Sequence, residues 1–352
     1  MHLEEKVLSN HSDIIRGLSW SPDGNYLAVG GYDEILTVWD VDDEDDIYVY
    51  QDLSGWITRS VWSPNGQYIA CSSYQSGEIK ILNSDNGEEH TSISGHERGC
   101  MCLKWLSGNQ IIASGGHDYK VKLWDIQSGN EILDLNCPDQ VNHLISIPNS
   151  NSLFALLPGF KTVLFDPTDP ESIKRALALK VRCPINPQNL LSPDGQYFLC
   201  LLNWEVLVVL DIYSGNAIKE IVCPNGKWES FSWSPDGKKL VAAGIDLYFY
   251  DTTTWDEIFR IKQPEHRDSF ISTIEYCFWS KDSSMIFTST HYDDLVNVWE
   301  SETGKKLFSW RSGGKFRQGE YAIEDMAVHP IKNCIAFGDN KGNVFVLDIL
   351  TG

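Results

Sequence analysis

Apolar and polar positions along this chain alternate in short runs that restart roughly every 40 to 50 residues, which points to a repeat of strands. The clearest copy opens at Gly95-His96 and shuts at Trp124-Asp125. Within it, Cys100, Leu103 and Trp105 mark a first strand and Ile112-Ala113-Ser114-Gly115-Gly116 a second. A third, Val121-Lys122-Leu123-Trp124, follows the tight turn at His117-Asp118.

Eight turns of related composition punctuate the whole length. The first four are Trp20-Ser21-Pro22-Asp23-Gly24, Trp62-Ser63-Pro64-Asn65-Gly66, Trp105-Leu106-Ser107-Gly108-Asn109 and the degraded Ile147-Pro148-Asn149-Ser150-Asn151. Leu191-Ser192-Pro193-Asp194-Gly195, Trp233-Ser234-Pro235-Asp236-Gly237, Trp279-Ser280-Lys281-Asp282-Ser283 and Val328-His329-Pro330-Ile331-Lys332 complete the set. Pro presets φ, and Asp, Asn and Gly permit the tight reversal, so each turn joins two strands. The alternating strands that follow end at Trp39, Leu82, Trp124, Phe165, Leu210, Tyr250, Trp299 and Leu347. A short strand, Glu5-Lys6-Val7-Leu8, precedes the first copy, and the last copy stops after three strands at Val344–Asp348. The N-terminal strand is expected to complete that last sheet as its outer strand, leaving no raw edge.

On these residues the chain resembles the WD40-repeat family over its full length. His11, Asp33 and Trp39 in the first copy match His96, Ser114, Asp118 and Trp124 in the third, with His and Trp 28 residues apart and Asp and Trp six apart in both. Thr288, Asp293 and Trp299 keep part of the pattern in the seventh. The resemblance implies a buried hydrogen-bond chain from Trp N–H through a hydroxyl and His to Asp, in which every buried polar group finds a partner. It also implies the architecture: all-β, one domain over residues 1–352, an eight-bladed WD40-type β-propeller of four-stranded blades. The family's commonest number is seven, whereas the turns here count eight. The fourth copy lacks the polar set and carries Pro158-Gly159 at its central hairpin; the fifth ends on Leu210, and the sixth reaches Tyr250 through a short hairpin, Gly244-Ile245-Asp246-Leu247. Those blades are expected to rely on apolar packing.

Composition narrows the functional classes. Thirteen Trp among 352 residues suit a repeated structural position better than an active site. The net charge of -21, from 28 Lys+Arg against 49 Asp+Glu, disfavours nucleic acid, whose phosphates need a basic face, and favours a partner with basic segments. Nine cysteines contain no Cys-x-x-Cys pair, and Cys71 and Cys200 sit inside apolar runs, as free thiols in a reducing compartment do. The first residues lack an apolar signal core and no run is long enough to cross a bilayer, so an intracellular protein, cytoplasmic or nuclear, is expected.

Candidate chemistry is sparse. No Gly-x-Ser-x-Gly, no His-Glu-x-x-His and no metal-spaced Cys/His cluster occurs, so no catalytic residue, metal or cofactor is expected. The acidic run Asp42-Asp43-Glu44-Asp45-Asp46 reads as a solvated loop between third and outer strands. Six residues before each turn the chain should reach the channel mouth, where Trp56 stands out among Ile14, Gly99, Val141, Ile185, Lys227, Thr273 and Ala322. Trp228, one position deeper, is assigned to the core. Asp13, Arg98 and Tyr321 are expected on the same face, together with Tyr32, His117, Trp204 and Tyr292 from the central hairpins. The basic, glycine-rich stretch Arg311-Ser312-Gly313-Gly314-Lys315-Phe316-Arg317 adds a further candidate contact, with Phe316 as an aromatic anchor.

The expectation is a non-enzymatic scaffold that docks protein or peptide partners on its top face, a monomeric propeller within a larger complex and without membrane contact. A propeller enzyme or small-ligand sensor, using mouth carboxylates such as Asp13 and Glu320, is the alternative. A reader of basic tails is a third.

Overall fold

The computed structural model describes residues 2–8, 10–106, 108–148, 150, 152–158, 161–166, 189–262, 273–290, 295–311 and 323–350. Thirty strands among them form eight antiparallel sheets. After β1 (His2–Leu8), the first sheet is a meander of β2 (Ile15–Trp20), β3 (Tyr26–Gly31), β4 (Leu36–Asp40) and β5 (Asp45–Tyr50). The second holds β6 (Ile57–Trp62), β7 (Tyr68–Ser73), β8 (Glu78–Asn83) and β9 (Glu89–Ser94). The third holds β10 (Cys100–Trp105), β11 (Ile111–Gly116), β12 (Lys120–Asp125) and β13 (Glu131–Asn136).

Three strands each are described for the fourth sheet, β14 (His143–Ser146), β15 (Leu153–Leu157) and β16 (Lys161–Phe165), and the fifth, β17 (Tyr197–Leu201), β18 (Val206–Asp211) and β19 (Ala217–Val222). The sixth comprises β20 (Ser230–Trp233), β21 (Lys239–Ala243), β22 (Leu247–Asp251) and β23 (Glu257–Ile261). The seventh comprises β24 (Ile274–Trp279), β25 (Met285–Thr290), β26 (Leu295–Glu300) and β27 (Lys306–Arg311). The eighth joins β28 (Ile323–Val328), β29 (Cys334–Asp339) and β30 (Val344–Leu350) to β1, in the order β1-β30-β29-β28. The pairing His2↔Leu350 through Leu8↔Val344 is the one expected from the sequence, and it extends three residues further toward the N-terminus. The acidic run departs from expectation: Asp45 and Asp46 are not in a loop but open β5, their side chains exposed.

Two compact units divide the chain, Met1–Ala178 with Glu324–Gly352, and Leu179–Ile323. In the first, neighbouring sheets pack face to face and share apolar cores. Ala28, Leu36 and Val38 of the first sheet meet Ile57, Trp62 and Ile69 of the second, all buried. Ile79 and Ile81 of the second meet Leu103 and Trp105 of the third, and Leu123 of the third meets Leu153 and Phe165 of the fourth. In the second unit, Val241 and Phe249 of the sixth sheet pack with Ile274, Cys277 and Trp299 of the seventh. The middle strands are buried on both faces, hence their unbroken apolar runs, whereas outer strands such as β9 and β13 face solvent and alternate.

The turns explain their own composition. Ser21 Oγ accepts the Tyr26 N–H at 3.0 Å, Asp23 Oδ1 accepts the Asn25 N–H at 3.1 Å, and Gly24 takes a φ of 78°. Ser63 with Asn65, Ser192 with Asp194, Ser234 with Asp236 and Ser280 with Asp282 repeat the arrangement. In the eighth sheet His329 takes the place of the serine: its Nδ1 accepts the N–H of Ile331 at 3.0 Å and of Lys332 at 2.8 Å. Nδ1 is therefore the bare nitrogen, and Nε2–H donates to the Gly24 carbonyl at 2.9 Å. A Cβ on Gly24 would lie 2.2 Å from His329 Cε1, so glycine is required there by contact as well as by φ.

Four of the tryptophans that open a turn also tie sheets together. The indole N–H of Trp62 donates to Ser19 O at 2.9 Å, that of Trp105 to Val61 O at 3.1 Å and that of Trp20 to Ala327 O at 3.0 Å. Trp279 does the same to Ser232 O at 2.9 Å within the second unit. Each bond runs from one sheet's innermost strand to that of the sheet before.

Candidate interaction surface

The polar chain between hairpin and sheet is complete in the third sheet. Trp124 Nε1–H donates to Ser114 Oγ at 2.8 Å, so the serine hydroxyl donates onward to His96 Nε2 at 2.7 Å, and His96 Nδ1–H donates to Asp118 at 2.8 Å. Burial alone would raise the Asp118 carboxyl, but the hydrogen bond and charge of His96 and the Glu97 N–H hold it below its ordinary value. In the first sheet His11 Nδ1 binds Asp33 at 3.0 Å, yet Val29 pairs with Thr37 where Ser114 pairs with Lys122. With no hydroxyl there, His11 Nε2 and Trp39 Nε1 are buried without partners. In the seventh sheet Trp299 Nε1–H donates to Thr288 Oγ1 at 3.0 Å, and Asp293 lies outside the described residues.

These locked hairpins present a row of aromatic rings within the first unit. Tyr32 follows β3, Tyr74 follows β7 and His117 follows β11, at one position in three successive sheets. Their backbone N–H groups donate to Ile14 O at 2.9 Å, Trp56 O at 2.9 Å and Arg98 O at 3.0 Å, which pins each hairpin to the residues entering the inner strand. Trp56 lies between two of them: its ring stacks on Tyr32 at 4.5 Å and 9°, and on Tyr74 at 5.9 Å and 17°. His117 meets Tyr74 edge-on at 5.5 Å. Tyr32, Tyr74 and His117 are half-buried, while Trp56 remains 39% exposed, in contrast to Trp228, which is fully buried as expected. Burial lowers the His117 pKa against the opposing pull of Asp118, so this ring is neutral at pH 7.

A bulge between Ile15 and Gly17 turns Arg16 toward the same row. Its guanidinium lies 5.9 Å over the Tyr32 ring and 3.1 Å from the Glu324 carboxylate. Beside Trp56 the structure opens into a recess of about 470 Å³, lined by Glu34, Gln51, Asp52, Ser54 and Gln75 above a buried Leu53. Gln75 Oε1 accepts the Trp56 N–H at 2.7 Å. Gly55, with a φ of 121°, passes so close that an added Cβ would lie 2.3 Å from that oxygen.

The remaining candidates are distributed as follows. Arg98 is exposed and adjoins His117 through its carbonyl; Asp13 accepts the N–H of Ile14 at 2.7 Å. Trp204 is half-buried in the second unit, with the Lys227 ammonium 5.9 Å over its ring. Tyr292, Lys315, Phe316, Arg317, Glu320 and Tyr321 lie outside the described residues. Tyr74, Arg16, Glu34 and Asp52 were not anticipated, although aligning the copies on the residue after each second strand places Tyr32, Tyr74 and His117 in one column.

Among the described residues no group of three or more His, Cys, Asp or Glu is placed to hold a metal, and no helix is long and apolar enough to cross a membrane. Eight cysteines are described, all free, and burial pushes the thiols of Cys71, Cys102 and Cys277 up to about 12, so none of these three is a ready nucleophile.

Comparison with known proteins agrees with this geometry. Residues 4–40 and 87–125, which take in the first three strands of the first sheet and of the third, match the family described as WD domain, G-beta repeat. Protein tipD of Dictyostelium discoideum is 26% identical over 310 residues, 84% of this chain and 48% of that protein. Anaphase-promoting complex subunit cdc20 of the same organism is 32% identical over 126 residues, 35% of this chain and 24% of its own length. WD repeat-containing protein srw1 of Schizosaccharomyces pombe is 28% identical over 152 residues, 42% of this chain and 27% of its own length. The chain thus spans half or less of each relative. The repeated turns, the polar chain of the third sheet and eight sheets of β-propeller blade connectivity accompany the family match, so residues 4–40 and 87–125 are similar to WD40 repeats within a chain of eight blade-like sheets.

Proposed function

We propose that this protein is a non-enzymatic adaptor that docks a protein or peptide partner on the aromatic row centred on Trp56, and that residues 1–352 act as one module inside a larger assembly. The observation that carries the reading is Trp56 itself. A large ring held in register by stacking, yet 39% exposed, contributes little to a core and has the rigidity of an interface anchor. The rings arrive from hairpins already fixed by backbone hydrogen bonds, so a partner would lose little affinity to ordering them. The relatives support the class: the name of one makes it a subunit of the anaphase-promoting complex, and another is named for its WD repeats.

Trp56→Ala tests the reading. The substitution removes the stacks on Tyr32 and Tyr74, so stability should fall by about 1–3 kcal/mol while the chain still folds and melts cooperatively. Partners recovered with the wild-type chain by affinity purification and mass spectrometry should fall about tenfold or more, a loss of about 1.4 kcal/mol. Unchanged recovery would refute the surface, and unfolding would place Trp56 in the core.

A further inference from the structure

Resting on that reading of the surface, we infer that the partner inserts a lysine or arginine side chain into the recess beside Trp56, with an adjoining apolar side chain lying along the exposed ring edges. The recess carries two carboxylates, Glu34 and Asp52, both exposed, and neither forms an ion pair among the described residues. Its other polar walls, Gln51, Ser54 and Gln75, are uncharged. The space is kept open by Gly55, since a side chain there would collide with Gln75.

The chemistry of the occupant follows from what the molecule already does nearby. Arg16 sits between the face of Tyr32 and the carboxylate of Glu324, satisfying a guanidinium with a ring on one side and an acid on the other. Beside Trp56, whose faces are taken by Tyr32 and Tyr74, the acids Glu34 and Asp52 offer the carboxylate half of that arrangement without a cation of their own. A long aliphatic stem ending in a charge matches this recess, whose floor is the apolar Leu53 and whose rim is acidic. The net charge of -21 adds a field that draws a basic segment in and repels an acidic one. Two carboxylates among neutral amides make a poor cage for a bare divalent ion, which takes six or more oxygen ligands, whereas a single ammonium or guanidinium is well matched.

Selection from a random peptide library displayed on phage, against the whole chain, tests this. Enriched peptides should carry Lys or Arg next to an apolar residue. Glu34→Gly combined with Asp52→Asn should weaken the enriched peptides about tenfold or more, as should citrulline in place of the selected arginine. Glu34 sits at a φ of 67°, a conformation glycine adopts freely, so that variant should fold at least as well as the wild type. Peptides without cationic enrichment, or indifferent to citrulline and to the loss of both acids, would overturn the inference. If those same peptides still depended on Trp56, the docking surface would stand without its cation. If binding ignored Trp56→Ala, or no peptide were enriched, the surface and the inference would both fall.

Discussion

A buried donor that finds no acceptor costs a folded protein roughly 1–3 kcal/mol, and the first sheet carries one at Trp39 Nε1 beside an unmatched ring nitrogen at His11. Val29, fully buried, occupies the place from which Ser114 serves both groups in the third sheet. Threonine has nearly the shape of valine and, as Thr288 shows beneath Trp299, its hydroxyl reaches the indole. Val29→Thr should therefore raise stability by about 1 kcal/mol, read as a higher midpoint in urea or heat. A lower midpoint would mean that burying the hydroxyl outweighs the bonds it forms. The spacing of His11, Asp33 and Trp39 was legible in the sequence; the break at Val29 is equally visible once the copies are aligned, but a pattern built on the conspicuous His, Asp and Trp passes over an apolar residue between them. Trp56 was legible for the opposite reason, as a bulky ring where small residues stand in other copies. Its neighbours Tyr74 and Arg16 were not, because stacking depends on which hairpins lie side by side and on a bulge that no local pattern announces.

At the level of the element, the strand-to-strand turn is the most reusable part of this chain, and it accepts two different chemistries. A serine hydroxyl caps it in five sheets; in the eighth a histidine ring nitrogen does the same work while the other nitrogen reaches Gly24 and the ring packs 4.7 Å from Trp20. Burial lowers the His329 pKa, with the nearby Lys332 adding to the effect and the bond to Gly24 opposing it. A proton on Nδ1 would also abolish both backbone bonds it accepts. A histidine whose folded pKa lies below its unfolded value of about 6.5 stabilises fully above that pH, and the contribution is lost as the pH falls below it. His143 has the same sign and a longer reach, its pKa pushed down to about 3 by burial and by the charge of Arg59. Unfolding midpoints should thus decline from pH 7 to pH 5, and His329→Ser, which restores the usual cap, should flatten that decline while His143 retains its share. An unchanged slope would show that His329 is not titrating against the fold. The indole bonds between innermost strands are the part of this element that sequence reading missed: a Trp that opens a turn looks like a local marker, and only the packed neighbour reveals its acceptor.

For the molecule as a whole, the pairing of β1 with β30 is the longest-range commitment in the chain, joining His2 to Leu350. Removing residues 2–8 would leave the N–H and C=O groups of Val344–Leu350 as an open edge beside apolar Val346 and Ile349. Such a variant should melt at a lower temperature and self-associate in size-exclusion chromatography, whereas a monomer of unchanged midpoint would mean that the strand contributes nothing to the sheet. The full blade count was legible because every copy keeps a turn and a strand end, even where the fourth and fifth have lost the polar chain. The placement of β5, which begins within the acidic run, was not, because strand pairing overrode the local preference of aspartates for a loop.

The same pairing sets an order of events at the ribosome. Within this span β1 is made long before β30, so the nascent chain must carry β1 without its partner strand until Val344–Leu350 has been made. Stalling or truncation between β1 and Val344 would release a protein whose β1 is free to find a neighbour's edge instead of its own.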